Sequence, residues 1–377
     1  FFKQKTAYEI KECDWSSDVC SSDLARPDRD TNLLAAAEPT SKHVPWLDEI
    51  QTPPTVQTDN ERPLATLLVD DQGKRITTVA DWEPYRERLR LAWRKYLGID
   101  QLKAPGKLEP EVIAEDRDAG VLRRRLRYEV EPGWVTEAYW IEPLKVERPA
   151  PAVVILHSTV NHSILQPAGL GDDPDKAFAI KLAQRGFVTI SPRNYLWPTN
   201  NKLEAEQEAK RFLAGHPGIK GMSRMLLDSQ IAVDLLLQSP HVDRKRIACA
   251  GHSLGAKEVL YLAAFDPRVS VTVSSEGGIG TRFSNWNAPW YLGPSIHDGT
   301  FDHEHHELIA MIAPRPFLLI GGDSADGRQS WPFIARAMEI YRLYGSRPPL
   351  GLYNHGEGHS VPPACESRIY EWITTYT

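Results

Sequence analysis

No stretch of this 377-residue chain approaches the roughly 18 consecutive apolar residues needed to span a bilayer. Long runs of one charge sign are also missing. With 44 Lys plus Arg against 50 Asp plus Glu, the net charge of −6 argues against nucleic acid or an anionic membrane as the main partner. There is no internal repeat and no low-complexity tract. Aromatic residues at 9%, mixed apolar runs and 29 scattered prolines exclude disorder, collagen-like and coiled-coil classes. What is present, 41% apolar side chains over this length, leaves a soluble globular protein as the expectation. That length suits one large domain with an appendage, or two small domains, with a sizeable core.

Residues 1–24, FFKQKTAYEIKECDWSSDVCSSDL, lack the apolar centre and small-residue cleavage site of a signal peptide. They are similar to translated sequencing-adapter read-through fused to unrelated reading frames in metagenome assemblies. The expectation is a non-native segment, with the natural N-terminus outside this sequence. Cys13 and Cys20 belong to it, leaving Cys249 and Cys365. Two cysteines build no disulfide framework in a domain this size, and their spacing fits no metal site. Cys249, in an apolar run, reads as a small buried hydrophobe. The compartment stays open, a secreted or periplasmic enzyme whose leader was lost being one expectation.

Residues 25–119 read as an N-terminal extension with one amphipathic helix over 81–98. Asp81 is the expected N-cap and Gly98 the stop, with Trp82, Tyr85, Leu89, Ala92, Trp93 and Tyr96 at three- and four-residue spacing. Such a helix packs on the main domain, as a lid or as plain structure. From residue 120 to 377, strands alternate with helices. Strands are expected at 121–130, 134–141, 152–156, 187–190, 246–250, 269–273, 316–320 and 350–353. Helices are expected at 175–185, 222–237, 255–264, 331–344 and 364–373. Alternation of this kind implies an α/β fold with a mostly parallel central sheet and helices on both faces.

Gly251-His252-Ser253-Leu254-Gly255 has the G-x-S-x-G spacing between a short apolar strand and a helix. That context makes the pentapeptide a nucleophile elbow, with Ser253 exposed above the sheet. Serine at its own pKa is a weak nucleophile and needs an oriented base. His359, after the last strand, is the candidate, with His355 as its rival. Three acids can hold the imidazole tautomer. Asp326 is preferred because it sits deeper in its loop; Asp323 lies in the same loop, and Glu276 follows the preceding strand. The backbone N–H of Leu254 supplies one oxyanion donor, and Ser158 or Thr159 a second.

Trp197, Trp286 and Trp290 lie on loops at the carboxyl-end side of the sheet, where open α/β folds bind ligands. Their faces suit sugar rings, loop-core packing being the alternative. Asp298, Asp302, His303, Glu304, His305, His306 and Glu307 invite a metal reading, but no H-E-x-x-H or clean ligand triad is present. They read instead as a polar helix start that hydrogen-bonds beneath the active-site loops, so no metal and no cofactor is expected.

The elbow, Ile312-Ala313-Pro314-Arg315-Pro316 and Gly358-His359 resemble the dienelactone hydrolase, acetyl xylan esterase and prolyl oligopeptidase branch of the α/β-hydrolase superfamily. Some details are similar to glucuronoyl esterases, which carry G-x-S-R-x-G-K and an acid in a Glu-Ser-Gly-type loop. That resemblance implies a sugar contact for Lys257 and a place for Glu276 as the acid. Leu254 departs from it, standing where those enzymes have an arginine. The resulting expectation is a serine carboxylic ester hydrolase that acts through an acyl-enzyme on carbohydrate-linked esters, of the acetyl xylan or glucuronoyl esterase kind, its substrate a small-molecule or polysaccharide ester. The alternatives are a prolyl oligopeptidase-like peptidase, a dienelactone hydrolase-like small-molecule hydrolase and a non-catalytic binding module on the same fold. Residues 25–119 are too few for the β-propeller a peptidase of that type usually brings. Oligomeric state is not legible.

Overall fold

Alternating apolar strands and helices close into one nine-stranded sheet. The computed structural model describes residues 42–55, 63–145 and 149–377. The adapter-like segment 1–24 and its two cysteines lie outside them.

In chain order the described elements begin with α1 (Leu47–Ile50), α2 (Val79–Leu97), β1 (Glu111–Asp118), β2 (Val121–Glu131), β3 (Trp134–Pro143) and β4 (Ala150–Leu156). Then come α3 (Phe178–Ala183), β5 (Val188–Pro192), α4 (Ala205–Gly215), α5 (Gly221–Gln238), β6 (Val242–His252) and α6 (Leu254–Phe265). The chain continues through β7 (Val271–Ser275), α7 (His306–Ile312), β8 (Phe317–Gly321), α8 (Trp331–Tyr344), β9 (Leu350–Asn354) and α9 (Pro363–Tyr376). The sheet order is β1-β2-β3-β5-β4-β6-β7-β8-β9. β1, β2, β3 and β5 pair antiparallel, and the run from β5 to β9 is parallel. The fold is that of an α/β-hydrolase.

Both faces are covered, and β4 shows why its sequence is apolar throughout. Ala152, Val154 and Leu156 enter the core beneath α2, α5, α6, α7 and α8. Val153 and Ile155 enter the opposite core beneath α1, α3 and α9. A strand buried on both faces needs no alternation.

Thr78, not Asp81, caps α2: its Oγ1 accepts the Asp81 N–H at 3.2 Å, while Asp81 Oδ2 accepts the Thr78 hydroxyl at 2.8 Å. Gly98 ends the helix at φ 70°, left-handed backbone that glycine adopts without strain. The helix is built into the body. Trp82, Leu89, Trp93 and Leu97 join the same core as β4. Arg86 donates to the Ala313 carbonyl at 3.0 Å and Trp93 Nε1 to Glu307 at 2.7 Å. β1, also within residues 25–119, pairs with β2. The helix expected at 175–185 is shorter, a 3-10 turn at Pro174–Lys176 preceding α3.

The two sheet edges differ. β1 is almost wholly exposed and rich in charge (Glu-Val-Ile-Ala-Glu-Asp-Arg-Asp). β9 is flanked by α1, where Gln51 Nε2 donates to the Pro348 and Leu350 carbonyls at 2.6 and 3.0 Å.

Candidate active site

Ser253 joins β6 to α6 at φ 59° and ψ −114°. For a residue with a Cβ this is costly backbone, on the order of 1–3 kcal/mol, held because the surroundings leave no alternative. Its N–H donates to the Ser275 carbonyl at 2.8 Å. A Cβ on Gly251 would overlap the Gly255 backbone, and one on Gly255 would overlap the Leu156 carbonyl. Both glycines of the pentapeptide are thus required by close approach. Ser253 stays partly exposed while His252 and Leu254 are buried.

His359, between β9 and α9, lies over this turn, its ring centroid 4.7 Å from that of His252. Its Nδ1 is 2.9 Å from Glu276 Oε2. Facing a carboxylate, Nδ1 carries the proton and leaves Nε2 as the basic atom. Glu276 is buried just beyond β7 at φ 56°. Its N–H donates to the Ile320 carbonyl at 2.8 Å. Its two oxygens also accept the N–H groups of Gly322 and Ala325.

The preference for Asp326 is corrected here. Its carboxylate is fully buried and turned away from His359, accepting from Gly278 N at 2.6 Å, Ile279 N at 2.8 Å and Ser330 Oγ at 2.7 Å. Asp323 is engaged by Asn354 at 2.9 Å and Arg328 at 3.1 Å. His355 Nδ1 accepts from Glu357 N at 3.1 Å, and burial lowers its pKa.

Among the described residues the Leu254 N–H has no protein acceptor, consistent with its place at the N-terminus of α6. Ser158 is corrected as an oxyanion donor, because its N–H is taken by Gln166 Oε1 at 2.9 Å. Thr159 is exposed, and its N–H has no acceptor among the described residues. Gln166 was not visible as a site residue; nothing in the chain marks a glutamine eight positions on as the neighbour of that loop.

Lys257, one turn into α6 from Ser253, is buried with Nζ 2.7 Å from Ser284 Oγ and 4.0 Å from the centre of the Trp286 ring. Desolvation, opposed by Asp326, pushes its amine down to about 7. The tryptophans correct the stacking expectation. Trp286 is 1% and Trp197 2% exposed, their indole N–H groups bound to Gly278 and Val160 carbonyls at 2.7 and 2.8 Å. They pack the loops. Trp290 is half-buried.

Residues 303–307 bind protein. His305 Nδ1 meets the Ile279 carbonyl at 2.6 Å and Nε2 the Tyr261 hydroxyl at 2.8 Å. Glu304 holds Thr281 through N–H and hydroxyl at 3.1 and 2.6 Å, and His303 pairs with Glu307 at 2.9 Å. No group of three potential ligands is arranged for a metal among the described residues. No helix of the described residues is long and apolar enough to cross a membrane.

The profile of the dienelactone hydrolase family matches residues 136–307. Over that span, just under half of the chain, the sequence matches a dienelactone hydrolase domain. That domain match includes Ser253 and Glu276 and stops short of His359. Among curated relatives, Bacillus subtilis (strain 168) YtaP, named as a hydrolase, is 26% identical over 49% of this chain and 64% of its own length. A 4-O-methyl-glucuronoyl methylesterase of Wolfiporia cocos (strain MD-104) is 31% identical over 23% of this chain and 28% of its own. The matches therefore span less than two-thirds of those relatives. In fold, a glucuronoyl esterase from Solibacter usitatus superposes with a TM-score of 0.67 at 15% identity, covering 84% of this chain and 98% of that one.

Proposed function

We propose that the protein is a serine-dependent hydrolase of carbohydrate-linked carboxylic esters, with esters of a uronic acid as its substrate class. The observation that carries the chemistry is the Glu276–His359 contact over the strained Ser253 turn. Ser253 Oγ attacks the ester carbonyl while His359 Nε2 takes its proton; Glu276 stabilises the resulting imidazolium. The Leu254 and Thr159 N–H groups receive the developing oxyanion. Collapse returns the proton to the leaving alcohol, and water then releases the acyl group by the same steps in reverse.

The substrate class is supported by Lys257, a buried amine one turn from the nucleophile, and by relatives named as glucuronoyl methylesterases. With Leu254 following the nucleophile, the oxyanion is left to backbone donors.

The test is acid release at constant pH from a benzyl glucuronate ester and from acetylated xylan, with Ser253→Ala as blank. Turnover of the glucuronate ester is expected. Release from acetylated xylan alone would make the protein a deacetylase. Failure of an activated phosphonate to label Ser253 would overturn the mechanism and point to a binding module.

A further inference from the structure

The two carboxylates that compete in sequence for one role stand in a reciprocal clasp. Glu276, at the end of β7, takes the N–H groups of Gly322 and Ala325 in the loop after β8. Asp326, in that second loop, takes the N–H groups of Gly278 and Ile279 in the first. Each loop is thus pinned by the other's side chain. Neither loop is relaxed: Glu276 and Asp323 have φ of 56° and 58°, and a Cβ on Gly321 would lie 2.6 Å from Gly327 N. We propose that Asp326 is a positioning residue, holding the backbone after Glu276 so that the Glu276 carboxylate stays turned onto His359.

The inference rests on the reading that Glu276 orients His359. Three donors on one dehydrated carboxylate fix direction as well as energy, since both oxygens are committed. A hydrophobic side chain would fill the same space without specifying where the N–H groups of residues 278 and 279 point. Two charged groups face Asp326. Burial raises its pKa and repulsion by Glu276 adds to this, whereas Lys257 attracts it.

Asp326→Asn keeps a carbonyl oxygen for one of the two backbone donors and sets an NH2 group against the other. The expected result is a kcat about 10- to 100-fold lower on the ester that the enzyme turns over, with KM within about twofold. A loosened Glu276 supports the His359 imidazolium less, so the acid limb of the kcat/KM profile moves to lower pH. A merely structural loss lowers amplitude without moving that limb. Ser330→Ala, which removes the 2.7 Å hydroxyl donor to Asp326 together with the 3.3 Å acceptor of the Gly327 N–H, gives a smaller shift in the same direction and covers the case in which Asp326→Asn does not fold. Glu276→Gln is the control, with a loss approaching 10^4-fold expected of a triad acid. If Glu276→Gln is crippled while the folded Asp326 or Ser330 variants keep the wild-type limb and kcat, the clasp has no such role. If Glu276→Gln is near wild type and Asp326→Asn is crippled, the acid assignment itself falls.

Discussion

Two histidine-bearing segments hold their rings in different ways, and their difference separates scaffold from chemistry. In residues 303–306, His305 has no exposed side-chain surface and both nitrogens bound. Trp93 and Trp286 flank it at 5.7 and 4.2 Å, and burial pushes its pKa down to about 3. In residues 355–359, His359 has a side chain 43% exposed, a carboxylate on Nδ1 and, among the described residues, no hydrogen-bond partner on Nε2. Hydrogen-bonded to a carbonyl and a phenol hydroxyl in a dry pocket, His305 is held neutral by burial even with the Glu304 carboxylate 3.7 Å from Nδ1. A histidine supported by a carboxylate and open on its far edge can accept a proton and hold it.

The largest expected effect tests this contrast directly. Ser253→Ala and His359→Ala each lower ester turnover by about 10^4-fold or more, with melting temperatures close to wild type, by steady-state kinetics and thermal unfolding. Near-wild-type turnover in either would remove the contrast. His305→Ala does the reverse. It costs roughly 3 kcal/mol of stability through two lost hydrogen bonds and a cavity, read by denaturant unfolding, while kcat of the folded protein falls by at most about tenfold.

Lys257→Met sharpens the proposed specificity. Because the amine is pushed down to about 7, its cation is lost as pH rises from 6 to 8, and KM for the glucuronate ester rises with it. In Lys257→Met, KM is about tenfold higher at pH 6 and flat with pH. The smallest effect is a change of slope. Burial raises Glu258 from the ordinary 4.5 to about 8. The unfolded chain releases that proton near 4.5 and the folded one near 8. This contribution to stability is therefore present below 4.5 and lost as pH rises to 8. Glu258→Gln flattens that part of the melting-temperature profile between pH 5 and 8.

Much of the fold was legible because its signals are local. The expected helix at 331–344 matches α8, and the dry strand β4 and the elbow stood in contiguous residues. β1 was not singled out because its polar side chains carry no burial pattern; its pairing with β2 makes it a strand. α4, Ala-Glu-Gln-Glu-Ala-Lys-Arg-Phe-Leu-Ala-Gly, was passed over for the same reason, with few buried residues to mark it. Within the site, the acid could not be read off. Asp326 and Glu276 occupy loops that grip each other, and the direction each side chain takes is decided by backbone N–H groups some 50 positions away. Nor could the sequence choose between stacking and packing for Trp286: composition shows an aromatic on a loop, whereas burial of its face depends on Lys257 and His305 arriving from elsewhere.

The unequal edges of the sheet have a consequence for how this chain meets other molecules. A row of unpaired strand amides is a template on which a foreign strand can grow. At one end the acid-rich β1, with Glu111, Glu115, Asp116 and Asp118 against the single Arg117, sets exposed charge in the path of any added strand. At the other, Gln51 and α1 occupy carbonyls of the strand and its approach that an incoming chain would use. The sheet is finished at nine strands by repulsion on one side and by a lid on the other, two different answers to the same hazard of self-association.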